Sequence, residues 1–430
     1  MTGKIVSIES YGCAMNQGEA GYTGRLLADL GYTVEEGAKW REAEINIIFT
    51  CFVIESTERR MWRRIEELSD TGNRLVVAGC LPAVRGDEIS TRFPGIEMMD
   101  TMGISATERS VRRLFEPLGN SGSFEKAGDR LDRIVPLSTG CLGNCFYCIT
   151  KEARNQLVSR HPKSIMDGIL DGLRQGRREI LLTSQDTAVY GRDLKKGMDL
   201  GALLRRITDT IPGEYRMRVG MMNPRGAAEI LDSIKEGFED QRVFKFFHIP
   251  VQSGSNKILQ AMNRPYAVGE FLELVGSLRS SYPDMTLSTD IIVGYPGETE
   301  EDFKESLSLI RQTEPDILNI TRFSSRPGTR AHQSVEKIPG WVVKERSREL
   351  TKVHEKLLER ILERRVGYHS RCLVTEVGKP GTMMARDSNY TPIVIRGNKN
   401  LLGKFVDIRT VKKGPTYLIS DYNRSVSDHY

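Results

Sequence analysis

Cys141-Leu142-Gly143-Asn144-Cys145-Phe146-Tyr147-Cys148 puts three of the chain's seven cysteines on one short loop. Three thiolates at that spacing can hold three irons of a 4Fe–4S cube. The fourth iron is then left without a protein ligand. An open iron can take a small chelating molecule, and S-adenosylmethionine offers the amine and carboxylate to do it. A cluster that only carries electrons usually has four cysteines. Given one electron, bound S-adenosylmethionine would break to a 5′-deoxyadenosyl radical. Zinc is the structural alternative, but zinc sites more often show paired CxxC or histidine-containing spacings and a closed four-ligand shell.

Outward from that loop, residues 134 to about 330 repeat strand then helix six times. The apolar runs predict strands at 134–139, 179–184, 215–220, 243–249, 285–294 and 316–323. Right-handed crossovers would close them into a partial barrel, with the chemistry at the C-terminal strand ends. The polar clusters fall at those ends: Ser184-Gln185-Asp186, Asn223, His248 with Gln252, Thr289-Asp290, and Ser324-Ser325-Arg326. Gly294-Tyr295-Pro296-Gly297-Glu298-Thr299 predicts a turn into a helix capped near Thr299. A lone buried histidine such as His248 is more often structural than catalytic.

Upstream, residues 1–118 alternate strands (4–9, 45–49, 75–78) with helical stretches near 16–30 and 54–68, an open α/β arrangement. Cys13, Cys51 and Cys80 are 38 and 29 residues apart, and each follows a strand. Spacing so wide says little alone, because buried free cysteines are common. In a parallel sheet, however, the C-terminal strand ends converge on one edge, so three thiolates would meet there. A glycine- and serine-rich stretch within 117–132 reads as a linker.

Downstream, residues 341–366 form one long charged helix with Leu350, Val353, Leu357, Leu358 and Ile361 on one face. From 367 to 430, short segments at 371–377, 391–396, 404–411 and 416–419 predict a small all-β barrel. From Arg364 onward there are 12 Lys and Arg against 5 Asp and Glu, a balance of +7 within a chain of net charge +5. Such local basicity suits a polyanion partner. Tyr390, Phe405 and Tyr417 alternate there with Arg396, Lys399 and Lys404, a pattern that suits nucleic acid or, more plainly, core aromatics with surface cations. Arg59, Arg60, Arg63 and Arg64 stack at helical spacing beside the Cys51 loop, a solvated face that could meet RNA phosphates.

Hydrophobic residues make up 39% and charged residues 28% of the chain, as in soluble globular proteins. No apolar run approaches 18 residues, and the N-terminus has no signal-peptide anatomy, so a cytoplasmic protein with no membrane contact is expected. Seven cysteines in a reducing compartment point to metal or catalysis rather than disulfides, with Cys372 left over as a small hydrophobe.

Ordered signatures run through nearly the whole chain: YGCAMN (11–16), TC (50–51), GCL (79–81), CLGNCFYC (141–148), RVGMMNP (218–224), HIPVQSGS (248–255), MNRPY (262–266), TDIIVGYPGETEEDF (289–303) and RPGT (326–329). With them the chain resembles the methylthiotransferase family of radical S-adenosylmethionine enzymes. The resemblance implies an α/β protein in three parts. These are a Rossmann-like N-terminal domain (1–118), a radical-SAM partial (β/α)6 barrel (133–335) and a TRAM-like RNA-binding barrel (367–430). It implies two 4Fe–4S clusters, an auxiliary one on Cys13, Cys51 and Cys80 and a radical one on Cys141, Cys145 and Cys148. Tyr147, Ser184, Gln185, Arg218, Gln252 and Asp290 become candidate S-adenosylmethionine contacts. Arg396, Lys399 and Lys404 become candidate RNA contacts.

The stretches TKEAR (150–154) and LTSQDTAVYGRD (182–193) resemble the archaeal and eukaryotic branch, which acts on threonylcarbamoyl-adenosine beside the tRNA anticodon. Its partners would be the anticodon stem-loop, a low-potential donor of flavodoxin or ferredoxin type, and an unidentified sulfur donor. Isopentenyl-adenosine and a ribosomal-protein aspartate are the alternative targets, and an iron–sulfur RNA-binding sensor is the non-enzymatic alternative. Many family members have Asn where Phe49 stands, Pro for Lys151, Gly for Asn155 and Asp for Gly18. None of these departures removes a thiolate.

Overall fold

The computed structural model describes residues 4–37, 40–119, 122–125, 132–194, 197–334 and 336–422. At its N-terminal end six parallel strands form one sheet in the order β5-β4-β3-β1-β2-β6. They are β1 (Ile5–Ser10), β2 (Thr33–Glu36), β3 (Ile45–Thr50), β4 (Arg74–Gly79), β5 (Glu97–Met98) and β6 (Ser123–Glu125). The central strand β3 is buried along its whole length, as a parallel strand covered on both faces must be. Ile45, Ile47 and Phe49 join Val6, Ile8 and Leu27 in one core. Ile48 faces the other way, into a second core with Val77, Phe52, Ile65 and Leu81.

β2, β5 and β6, and the helices Cys80–Arg92 and Ile104–Leu114, are additions that sequence patterning does not reveal. Short edge strands carry too few residues to show a period. β6 also lies inside the expected linker and pairs with β2, while 120, 121 and 126–131 fall outside the described residues.

The barrel strands are β7 (Asp132–Pro136), β10 (Glu179–Thr183), β11 (Arg216–Val219), β12 (Phe246–His248), β13 (Thr286–Val293) and β14 (Ile317–Arg322). Between β7 and β10, the short strands β8 (Ser138–Thr139) and β9 (Val158–Ser159) pair antiparallel. Two parallel sheets, β11-β10-β7 and β12-β13-β14, are joined among the described residues by a bridge of Met217 to Val243 and by Met222 N donating to His248 O at 2.8 Å. The outcome is the expected six-strand partial barrel, except that its first strand ends at Pro136 and Ser138 and Thr139 leave to form β8. A core of Ile180, Leu182, Met217, Val219, Phe247, Leu287 and Ile291 fills it.

The N-terminal sheet packs on the barrel through the helix Ala14–Asp29. At Gly18 a Cβ would lie 2.8 Å from the Pro136 ring and 3.0 Å from the Ile134 side chain, so a larger residue would push those side chains of β7 away.

The helix Gly340–Arg364 joins barrel and C-terminus. Leu350 and Leu357 enter the barrel core, whereas Leu358 and Leu362 enter the next one. Arg346 anchors it by donating to the Glu298 carboxylate at 2.7 Å. Glu298 also accepts from Gly294 N at 2.8 Å, and Thr299 caps the following helix as expected.

The last part is a closed barrel in the order β15-β16-β17-β19-β18. Its strands are β15 (His369–Val377), β16 (Thr382–Arg386), β17 (Pro392–Arg396), β18 (Phe405–Lys413) and β19 (Leu418–Ser420). β16 escapes sequence patterning because Thr-Met-Met-Ala-Arg lacks the β-branched run that marks a strand. Residues 423–430, the end of the expected barrel segment, fall outside the described residues.

Tyr390 follows the plainer reading of the aromatic and basic pattern, that of a core aromatic. It is buried at the seam between the two barrels, its ring 4.8 Å from Phe244 and 5.2 Å from Phe246, and its hydroxyl donates to Glu179 at 2.8 Å. Phe405 also faces the seam, under the Arg216 guanidinium at 4.8 Å.

Candidate cluster and cofactor site

β4, β3 and β1 are consecutive in the sheet, and their C-terminal ends carry Cys80, Cys51 and Cys13. Cys13 is exposed, whereas Cys51 and Cys80 are buried. The loops touch. Gly12 has φ +96°, and a Cβ there would lie 2.6 Å from Cys51 Cβ, so only glycine lets the Cys13 loop pass. Asn16 ties them together: Nδ2 donates to Tyr11 O and Thr50 O, each at 2.8 Å, and Oδ1 faces Cys80 Sγ at 3.8 Å.

The second triad sits on the loop after β8. Gly143 N donates to Cys141 Sγ at 3.2 Å, curling the chain around the first thiol. Lys151 Nζ donates to Cys141 O at 3.0 Å and Gly143 O at 2.9 Å, a clasp made by one of the family departures. Gln185 accepts from Gly140 N at 2.7 Å, just before the triad. From the far side Asn263 Nδ2 donates to Asn144 O at 2.7 Å, and buried Arg264 lies 3.5 Å from Cys145 Sγ. Burial opposes the Arg264 charge, but Tyr266, Tyr147 and Cys145 hold it protonated.

The two triads meet at one seam. Ile149, next to Cys148, is buried in the apolar cluster that contains Cys80, Phe52 and Leu81. Arg154, six residues after Cys148, is 3% exposed and points Nε at Cys80 Sγ, 3.4 Å away. Its Nη atoms donate to both Glu19 oxygens, at 2.6 and 2.7 Å, and to Thr139 Oγ1 at 2.8 Å. Arg326 makes a second tie, donating to Phe52 O at 2.8 Å and to Glu58.

Burial raises the Cys80 thiol to about 11, against the pull of Arg154. Cys141 is likewise raised to about 11, by burial and then by Asp186. Iron would therefore have to displace those protons on binding. The donor set suits a cube. Among the described residues no three Cys, His, Asp or Glu side chains are grouped to hold one metal ion. A cube takes a wider set, one thiolate to each iron. The seventh cysteine, Cys372, lies in the C-terminal barrel core, so neither triad has a fourth thiol at hand.

Around the radical-type triad, Ser184 Oγ is buried without a hydrogen-bond partner, a free donor at a strand end. Asp290 accepts from Asn319 Nδ2 at 2.7 Å and pairs with His248 Nε2 at 2.9 Å. Gln252, at φ +76°, donates its N–H to Asp290 O at 2.8 Å. Tyr147 packs edge-on to Tyr295 at 6.4 Å. Arg218 is turned elsewhere: its guanidinium lies over the rings of Tyr390, at 5.0 Å, and Phe246, at 5.3 Å, in the seam with the C-terminal barrel. Arg396, Lys399 and Lys404 are exposed on that barrel. Of the arginine stripe, Arg64 is tied inward to Glu9 with Nε at 2.9 Å, and Arg59, Arg60 and Arg63 are exposed.

Glu19 and Arg264 do not stand out in the sequence as site residues, while Arg326 does so only as part of a polar strand end and Lys151 and Arg154 only as part of the TKEAR stretch. Arg264 and Arg326 lie inside quoted signatures, but nothing local says that a charge there is buried.

Exposure makes the thiols unequal. In the metal-free chain, iodoacetamide should modify Cys13 first, Cys51 and Cys80 far more slowly, and Cys372 only on unfolding. Peptide mass spectrometry over time reads the order; equal rates for Cys13 and Cys80 would contradict the packing described.

Residues 135–310 match the radical SAM superfamily, 5–100 the uncharacterized protein family UPF0004, and 363–422 the TRAM domain. The chain is 39% identical over 430 residues to the probable threonylcarbamoyladenosine tRNA methylthiotransferase of Pyrococcus horikoshii, covering 97% of this chain and 99% of that one. The Archaeoglobus fulgidus protein of the same description is 40% identical over 423 residues, with 96% and 97% covered. The Homo sapiens threonylcarbamoyladenosine tRNA methylthiotransferase is 32% identical over 429 residues, with 96% and 72% covered. Among solved structures, the radical S-adenosylmethionine methyltransferase TsrM from Kitasatospora setae, with cobalamin and a 4Fe–4S cluster bound, has a TM-score of 0.54 at 14% identity, covering 76% of this chain and 77% of that one. The cobalamin-dependent radical enzyme OxsB has a TM-score of 0.51 at 11% identity, covering 82% and 56%. At these identities the likeness is one of fold.

Proposed function

The chain belongs to the threonylcarbamoyladenosine tRNA methylthiotransferase family, and on that premise we propose that it adds a methylthio group to carbon 2 of threonylcarbamoyl-adenosine next to the tRNA anticodon. The observation that carries the reading is the meeting of two cysteine triads at one seam, through Arg154 and Ile149. A radical SAM enzyme uses S-adenosylmethionine and a 4Fe–4S cluster. A second cluster on Cys13, Cys51 and Cys80 is the further step that this seam supports.

Cys141, Cys145 and Cys148 would hold the radical cluster, and Cys13, Cys51 and Cys80 the auxiliary one. When bound, the first supplies the electron that splits S-adenosylmethionine, and the second supplies an open iron for an exogenous sulfur.

The protein's own residues do the rest. Arg264 and Lys151 offset the thiolate charge. Gln185 fixes the entry to the triad. Ser184 and the Gln252–Asp290 pair at the barrel mouth offer polar contacts to the S-adenosylmethionine amine, carboxylate and ribose. Arg154 and Arg326 hold the two loops in register, so that the target carbon can stand between them. The base must be unstacked to reach a site so enclosed. An electron donor of flavodoxin or ferredoxin type and a separate sulfur source complete the set.

Nucleoside mass spectrometry of tRNA incubated anaerobically with the reconstituted enzyme, S-adenosylmethionine, sulfide and a strong reductant tests the reaction. We expect threonylcarbamoyl-adenosine to gain one methylthio group. A product on isopentenyl-adenosine alone would move the target.

The C-terminal barrel would hold the anticodon stem through phosphates. Deleting it would bare the Tyr390 socket and Leu362, so charge reversal is the cleaner test. Arg396→Glu, Lys399→Glu and Lys404→Glu together should weaken tRNA binding and flatten its dependence on log salt by roughly one unit per lost phosphate contact. Unchanged affinity and slope would place the RNA elsewhere.

A further inference from the structure

A cleft of about 420 Å³ opens between the N-terminal sheet and the edge of the barrel, and Glu19 and Thr139, the partners of Arg154, line it. One wall is the first turn of the helix Ile104–Leu114. Its N-cap, Gly103, offers no side chain, so the N–H groups of Ile104, Ser105 and Ala106 have no capping acceptor. The start of the helix Pro162–Arg174 forms the opposite wall, with Ser164 lining the same space. Both helices present the positive ends of their dipoles.

Two hydroxyls in this lining are idle. Thr101 is 0% and Ser138 is 1% exposed, and neither side-chain oxygen has a hydrogen-bond partner. Arg160 also lines the cleft, and among the described residues its guanidinium makes no ion pair or hydrogen bond; it lies over the Tyr22 ring at 5.2 Å. The carboxylates near it are engaged: Glu19 by Arg154 at 2.6 and 2.7 Å, and Glu108 by the Tyr22 hydroxyl at 2.7 Å. Burial holds Arg160 down to about 10, and Arg133 adds like charge. Arg109 stands exposed at the mouth.

Uncapped N–H groups, idle buried hydroxyls and an unpaired guanidinium on one cleft lack the same thing, a compact group with several acceptor oxygens. We propose that this cleft binds a phosphate group, held by Arg160, the Thr101 and Ser138 hydroxyls and the N–H groups of Ile104–Ala106. A free phosphate ester and a phosphate of the RNA backbone share this chemistry. Only the RNA source rests on the reaction proposed above.

Titration calorimetry of inorganic phosphate into the anaerobically reconstituted full chain tests the site without reference to catalysis. Saturable binding is expected, weakened about tenfold or more by Arg160→Gln and several-fold by Ser138→Ala. The second variant removes one unbonded oxygen and so should leave the fold intact. In parallel, tRNA affinity is measured for the same proteins. A loss in Arg160→Gln, with a salt slope smaller by about one contact and competition by phosphate, identifies the RNA backbone as the source. Lost phosphate binding with unchanged tRNA affinity identifies a free ester. The proposal is overturned if the folded wild type shows no saturable phosphate binding and neither substitution moves tRNA affinity.

Discussion

In a Cys145→Ala variant, cleavage of S-adenosylmethionine under strong reduction should fall about a thousandfold or more, while about half the iron stays bound. The two triads stand on different scaffolds, one on the edge of the N-terminal sheet and the other on a loop of the barrel. Losing one thiol of the second leaves the hydrogen bonds of Asn16 that shape the first. Cys51→Ala should give the reciprocal result: S-adenosylmethionine is still cleaved, but no methylthio product forms. Iron and sulfide analysis, electron paramagnetic resonance and 5′-deoxyadenosine release read all of this. If Cys145→Ala emptied both sites of a folded protein, or Cys51→Ala still made full product, the division of labour between the triads would be wrong.

Arg154→Ala should cost the metal-free chain about 3–5 kcal/mol, because it leaves the Glu19 carboxylate buried without its partner. The side chains of Arg154 and Glu19 are 1% and 4% exposed, so each charge has given up its water and depends on the other. Arg154→Met combined with Glu19→Leu should recover most of the loss, since a buried ion pair is worth little more than apolar side chains of similar volume. Urea denaturation of the metal-free protein decides this; a loss under about 1 kcal/mol for Arg154→Ala would mean that the seam is wet. In the loaded enzyme the same substitution removes a cation and an N–H donor from beside Cys80. Both favour the reduced cluster, so the auxiliary potential should fall, and a redox titration in the Cys145→Ala background would isolate it. Arg154→Lys keeps the charge but not the two-pronged fit to Glu19, so it should restore the potential better than the stability.

Much of the site is legible in the sequence because its chemistry is carried by short-range spacing. A CxxxCxxC loop cannot span far, so its three thiols must share one neighbourhood. The long apolar runs leading to Cys51 and Cys80 mark strands that only a parallel, doubly covered sheet explains. Two positions show where sequence patterning stops. Tyr390 and Arg218 have the composition of ligand-binding residues, but they pack on each other where two barrels meet. Sequence periodicity says which face of a strand is apolar; it does not say which other domain will cover it.

By itself, then, the amino-acid order determined the six thiols, the alternation of strands and helices and the basic C-terminal barrel, all set by patterns within a few dozen residues. Folding in three dimensions decided which charges are buried and beside what. Arg154 meets Glu19 across 135 positions of chain and Cys80 across 74. Such a pairing obeys no local period, because it follows from how one domain's surface fits another's and from the cost of leaving either charge there alone.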